Sequence, residues 1–102
     1  MNYKTEKLES EKFFQEALDL LMSKANDYAS DIDCLSNFNK IANICDIPIE
    51  KVFLMFLTVK IARLVELLSK PNKNESKKDS LLDIANYACL YSLFLKEPEG
   101  VI

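Results

Sequence analysis

The sequence predicts an all-α fold: one domain over residues 1–102, built as a four-helix bundle of three long helices and one short one. Three observations carry this. The 102 residues include one Gly and three Pro, too few to supply the tight turn every 8–12 residues or so that an all-β chain needs. Apolar residues recur three and four positions apart through long stretches, the spacing of one helix face. The length suits a single core.

The first helix is expected over 6–28, where Phe13, Phe14, Ala17, Leu18, Leu21 and Met22 keep helical spacing with Glu9, Glu11, Glu16 and Asp19 on other faces. The polar stretch "NDYASDIDCLSNF" breaks that pattern, and Ser36 is placed to cap a short helix over 36–45. Pro48 fits the first turn of the third helix, 49–69, because its missing N–H costs nothing there. Val52, Phe53, Leu54, Met55, Phe56, Leu57, Val59, Ile61, Leu64 and Leu68 surround this helix on nearly every side. A helix apolar all round is either central or shared with a second subunit. In so short a chain we expect sharing, and hence a homo-oligomer such as a homodimer. "KPNKNESKK" reads as a loop that Pro71 opens, and the last helix should run over 75–96 until "EPEG" releases the chain.

Composition narrows the function classes. With 49% hydrophobic and 28% charged residues, the chain is far from disorder. A net charge of −3 gives no footprint for a nucleic acid duplex. The absence of His removes the serine-hydrolase triad and the His-metal hydrolases. Cys34, Cys45 and Cys89 are odd in number and widely spaced, which suits small apolar residues in a reducing compartment. The start "MNYKTEKLESEKFF" is too polar for a signal peptide. The longest apolar run, "VFLMFLTV", has 8 residues against the roughly 20 of a membrane span. A cytoplasmic protein that does not enter the membrane is expected.

The stretch "ESKKDSLLDIANYA" puts Glu75, Asp79, Asp83 and Asn86 on one helical stripe. Like charges at that spacing repel by roughly 0.2–0.5 kcal/mol per pair. The helix dipole excuses Glu75 and partly Asp79, but fades before Asp83. The acids could instead pair with lysines, here or elsewhere, or simply be solvated. A third account is a divalent cation site, with carboxylates one turn apart converging on Mg²⁺ that also holds phosphate oxygens. Two other segments bear on the choice. "KANDYASDIDCLSNF" gathers Lys24, Asp27, Tyr28, Asn37 and Phe38, where the aromatics could equally be core and Asn37 a cap. "KIARL" sets Lys60 and Arg63 on an otherwise apolar helix, so they must snorkel to solvent or face a partner charge. Acids, cations and amides on separate segments suit metal-bridged phosphate.

The run "K-x-x-D-Y…N-F", then "K-x-x-R-L", then "E-S-x-x-D-S-x-x-D-I-A-N-Y-A" resembles the small phage and prophage proteins of the nucleotide modification associated domain 1 type. Those are distant relatives of the all-α nucleoside triphosphate pyrophosphatases, the MazG and dimeric dUTPase group. The likeness covers Lys24 to Tyr91, and the final motif is its most specific part. It implies a MazG-like, usually oligomeric fold whose acidic helices hold Mg²⁺ around a nucleotide's phosphates. Carried over by position, Glu75, Asp79 and Asp83 would be the metal and catalytic acids. Lys24, Asp27, Asn37, Lys60, Arg63 and Asn86 would line the nucleotide pocket, with Tyr28 or Phe38 stacking on the base. The family's second E-x-x-E pair has no clear counterpart: the central helix offers Lys60, Arg63 and only Glu66, and the matching Glu6 and Glu9 lie near the start.

The expected function is Mg²⁺-dependent binding of a nucleoside phosphate, with pyrophosphohydrolysis to the monophosphate and pyrophosphate as an extension. The rival class is a small acidic phage-type protein that inhibits a host defence protein, and a non-catalytic nucleotide sponge stands between them. Fold alone does not choose.

Overall fold

The structure is a computed structural model. It describes residues 2–27 and 35–96, with no account of the side chains of residues 25–27. Four helices and no strands occur among the described residues: α1 (Tyr3–Asp27), α2 (Ser36–Cys45), α3 (Ile49–Leu67) and α4 (Asn74–Lys96). None is long and apolar enough to cross a membrane.

Local chemistry sets the helix ends. Asn2 caps α1, its Oδ1 accepting the Thr5 N–H at 2.9 Å. Ser36, expected as the cap of α2, is instead the first helical residue. The cap position falls to Leu35, with no side-chain hydrogen bond, because that side chain is 1% exposed and anchored in the core. Burial decides where this helix starts. At its other end Asp46 adopts φ 53° and ψ 51°, a left-handed stop that Asp tolerates better than most residues. The Ile47 N–H then reaches back to the Ala42 carbonyl at 3.0 Å. Pro48, expected inside the first turn of α3, holds the cap position just before it. α3 stops at Leu67, four residues ahead of Pro71, and its end tightens as the Leu68 N–H bonds to the Val65 carbonyl at 3.2 Å.

The core belongs to α2, α3 and α4. Leu35, Phe38, Ala42, Val52, Phe53 and Leu90 form one buried cluster, with Phe56, Tyr87, Tyr91 and Phe94 packed against it. Phe53, fully buried, stacks on Phe38 at 4.4 Å between ring centroids and on Tyr91 at 5.0 Å. The Tyr91 hydroxyl donates to Glu50 Oε1 at 3.0 Å, so the polar tip of this ring remains satisfied at the rim. Among the described residues α3 packs on both α2 and α4, whereas α1 packs mainly on α4, with Leu21 reaching the core cluster.

Candidate functional site

α3 and α4 border a half-open cleft of about 250 Å³, lined by Val59, Lys60 and Arg63 from α3 and by Ser76, Asp79, Ser80 and Asp83 from α4. The spacing explains the composition. Residues 76, 79, 80 and 83 are three or four apart, so one face of α4 presents hydroxyl, carboxylate, hydroxyl, carboxylate in turn. Lys60 and Arg63 stand three apart on the facing helix.

Asp83 is the electrostatic centre. Its Oδ2 accepts Lys60 Nζ at 2.8 Å and its Oδ1 accepts Lys24 Nζ at 3.4 Å. One carboxylate thus ties α1, α3 and α4 together. The hydrogen bond to Asp83 raises the Lys60 pKa above its ordinary value. Partial burial works against this, the charges of Asp83 and Tyr87 add to it, and neighbouring Arg63 subtracts. Arg63 itself has only a long 4.0 Å contact to Glu66, and both side chains are more than half exposed. Asp79 is exposed and has no ion pair among the described residues. The cleft therefore offers one neutralised carboxylate, one open carboxylate and one largely free guanidinium.

The expected residues divide accordingly. Lys60, Arg63, Asp79 and Asp83 come together, and Lys24 joins them through Asp83. Glu75 sits exposed in the first turn of α4 and does not line the cleft. Asn86, on the same stripe, is buried and donates from Nδ2 to the Ala17 carbonyl at 2.9 Å, so it fastens α1 to α4. Phe38 is a core ring stacked on Phe53 rather than a surface platform. Asn37 is exposed on α2 and outside the cleft. Tyr28 and the Asp27 side chain lie outside the described residues. Ser76, Ser80 and Val59 line the cleft without having been singled out from the sequence. The signal for the serines was present, since they share a helix face with Asp79 and Asp83.

Among the described residues no group of three or more His, Cys, Asp or Glu side chains is placed to hold a metal ion. The triad of Glu75, Asp79 and Asp83 is therefore not gathered within one chain. What remains is the pair Asp79 and Asp83, of which Asp83 already gives both its oxygens to lysines, so Asp79 is the open carboxylate of the cleft. A second concavity, between α1 and α4, is lined almost wholly by apolar groups, including Phe14, Ala17, Leu18, Leu21 and Cys89. Its one amide, Asn86, is already spent on Ala17.

The chain matches no protein-family model, no curated protein and no solved structure.

Proposed function

We propose that the α3/α4 cleft binds the phosphates of a nucleoside phosphate together with Mg²⁺, in a homo-oligomeric, MazG-like protein. The observation that supports this reading is the meeting of Arg63, Lys60, Asp79 and Asp83 in one cleft, two cations on one helix facing two carboxylates on the next. About 250 Å³ lies just under the roughly 300–1,000 Å³ of ordinary ligand pockets. The phosphates therefore occupy the cleft, and the nucleoside extends beyond it.

Each side chain has a role in this reading. Arg63 supplies a planar fork of donors to phosphate oxygens. Lys60, held by Asp83, presents its remaining ammonium hydrogens to the same group. Asp79 would hold the Mg²⁺, an ion that takes as few as one or two carboxylates beside phosphate oxygens and water and when bound neutralises and polarises the phosphates. The serine hydroxyls at 76 and 80 donate to whatever oxygens the cations leave. Binding needs no more than this. Hydrolysis to the monophosphate and pyrophosphate would further require a carboxylate that positions water, beyond the one that holds the metal.

The test is thermal unfolding against nucleoside mono-, di- and triphosphates, with and without Mg²⁺. A ligand at 100 times its Kd adds about 2.7 kcal/mol, a shift of roughly 10–20 °C for a domain this size. The shift should need Mg²⁺ and disappear in Arg63→Ala and Asp79→Asn, neither of which removes a short structural contact. Product analysis of the stabilising nucleotide then separates binding from hydrolysis. If no nucleotide moves the midpoint, with or without Mg²⁺, the reading fails.

A further inference from the structure

The charges that line the α3/α4 cleft cancel. Lys60 and Arg63 supply two cations, Asp79 and Asp83 two carboxylates. Such a cleft has no net charge with which to draw in a phosphate. A residue outside its walls tips the balance. Lys24, in the last turn of α1, does not line the cleft, yet its Nζ reaches Asp83 Oδ1 at 3.4 Å. Lys60 Nζ holds the other oxygen, Oδ2, at 2.8 Å. Two ammonium groups thus share one carboxylate, and the trio carries one surplus positive charge.

The two lysines are not equivalent. Lys60 belongs to the cleft wall, and its ammonium keeps donors beyond the one that Asp83 takes. Lys24 meets the site only through Asp83. The Asp83 side chain is 16% exposed, so neighbouring cations, more than water, must balance its charge. While Lys24 covers Oδ1, less of that demand falls on Lys60. With Lys24 gone, Lys60 alone neutralises Asp83, and an anion in the cleft has to compete with a carboxylate for it.

We propose that Lys24 is a positioning residue of the cleft: it satisfies Asp83 from outside and so releases Lys60 to bind phosphate, without touching the phosphate itself. This rests on the phosphate-binding reading of the cleft and adds a control to it. Asp83 then serves as the joint between α1 and the site. The joint works in both directions, because coupling between two equilibria is reciprocal. Phosphate that engages Lys60 leaves Asp83 more dependent on Lys24, so an occupied cleft holds the C-terminal half of α1 down on α4.

Titration calorimetry of the full chain with inorganic pyrophosphate and Mg²⁺ reads the effect. Lys24→Met should weaken pyrophosphate binding by about three- to fivefold, as suits a half-exposed member of a coupled ion-pair network. Lys24→Arg, which keeps the charge, should bind as the wild type does. Asp83→Asn should bind pyrophosphate at least as tightly as the wild type, because it frees Lys60 and removes a like charge beside the phosphate. In that background Lys24→Met should have no further effect. A Lys24 that touched phosphate, or whose loss merely loosened the fold, would weaken binding in both backgrounds. If Asp83→Asn fails to fold, hydrogen exchange decides: pyrophosphate with Mg²⁺ should slow the amides from Ala17 to Lys24 in the wild type and not in Lys24→Met. Equal affinity in the wild type and Lys24→Met overturns the proposal and leaves the phosphate reading of the cleft standing. So does a loss that persists beside Asp83→Asn. A wild type that takes up no pyrophosphate overturns both.

Discussion

α1 and the α2–α4 unit are held by different forces. In the unit, stacked rings of Phe38, Phe53 and Tyr91 fill the core. α1 is the longest helix, yet among its described side chains only Ala17 is buried. Its attachment combines apolar packing at Ala17 and Leu21 with a row of directional contacts. Asn86 reaches the Ala17 carbonyl, Lys78 Nζ reaches Glu16 Oε2 at 2.9 Å, and Lys24 reaches Asp83 at 3.4 Å. Stacked rings close one part of the molecule, and a narrower apolar contact reinforced by polar fasteners docks the other. Opening free energies within one protein range from near zero to the global value, and α1 belongs at the low end.

Four substitutions sharpen or break this contrast. Phe53→Ala should be the most damaging, costing about 3–5 kcal/mol by the usual large-to-small penalty in a core. Urea denaturation should show the whole unit losing that stability together. Asn86→Ala comes next, at about 1 kcal/mol for one buried hydrogen bond. Hydrogen exchange should then quicken in α1 and leave the amides of α3 unchanged. Equal acceleration in both helices would mean that α1 and the core open as one unit.

Lys60→Met should cost about 1 kcal/mol or less, since the side chain is 28% exposed and screened. The pH dependence supplies its signature. The Lys60 pKa is raised in the folded chain above the ordinary 10.5, so its stabilising contribution is fully present below that value. It fades as pH rises through the raised folded pKa. The gap in urea midpoint between wild type and Lys60→Met should stay constant from neutral pH upward and close only above the ordinary lysine range. Lys78→Ala is expected to matter least, within about 0.5 kcal/mol, because both members of the pair are about half exposed. A larger loss, read in the same urea titration, would show that this fastener is stronger than its exposure implies.

The helices were legible because apolar spacing and a handful of breakers encode them directly. Pro48, the "KPNKNESKK" loop and the greasy third helix all speak through local rules. Part of the cleft was legible too, since "KIAR" and "DSLLD" each place two charges on one helix face. What the sequence withheld was the tertiary context. Phe38 and Asn86 are residue types that serve a ligand or a core equally well, and only burial separates the two uses. Glu75 shares a stripe with Asp79 and Asp83, but the cleft ends before reaching it. The apparent repulsion along that stripe is relieved at Asp83 from outside the helix, by Lys24 and Lys60 arriving from α1 and α3. The apolar face expected on α1, from Phe13 to Met22, is real as a pattern but only partly covered among the described residues: Ala17 is buried and Leu21 packs on the core, while Phe14, Leu18 and Met22 stay exposed.

The docking of α1 on α4, the last helix, has a consequence for biosynthesis. α2, α3 and α4 can assemble in the order they leave the ribosome, each meeting a helix already made or next in line. α1 emerges before its docking surface exists and must wait until α4 has followed. At roughly 5–20 residues per second, that delay is on the order of a few seconds. Throughout it, Ala17 and Leu21, which docking covers, are on offer to chaperones and to neighbouring nascent chains.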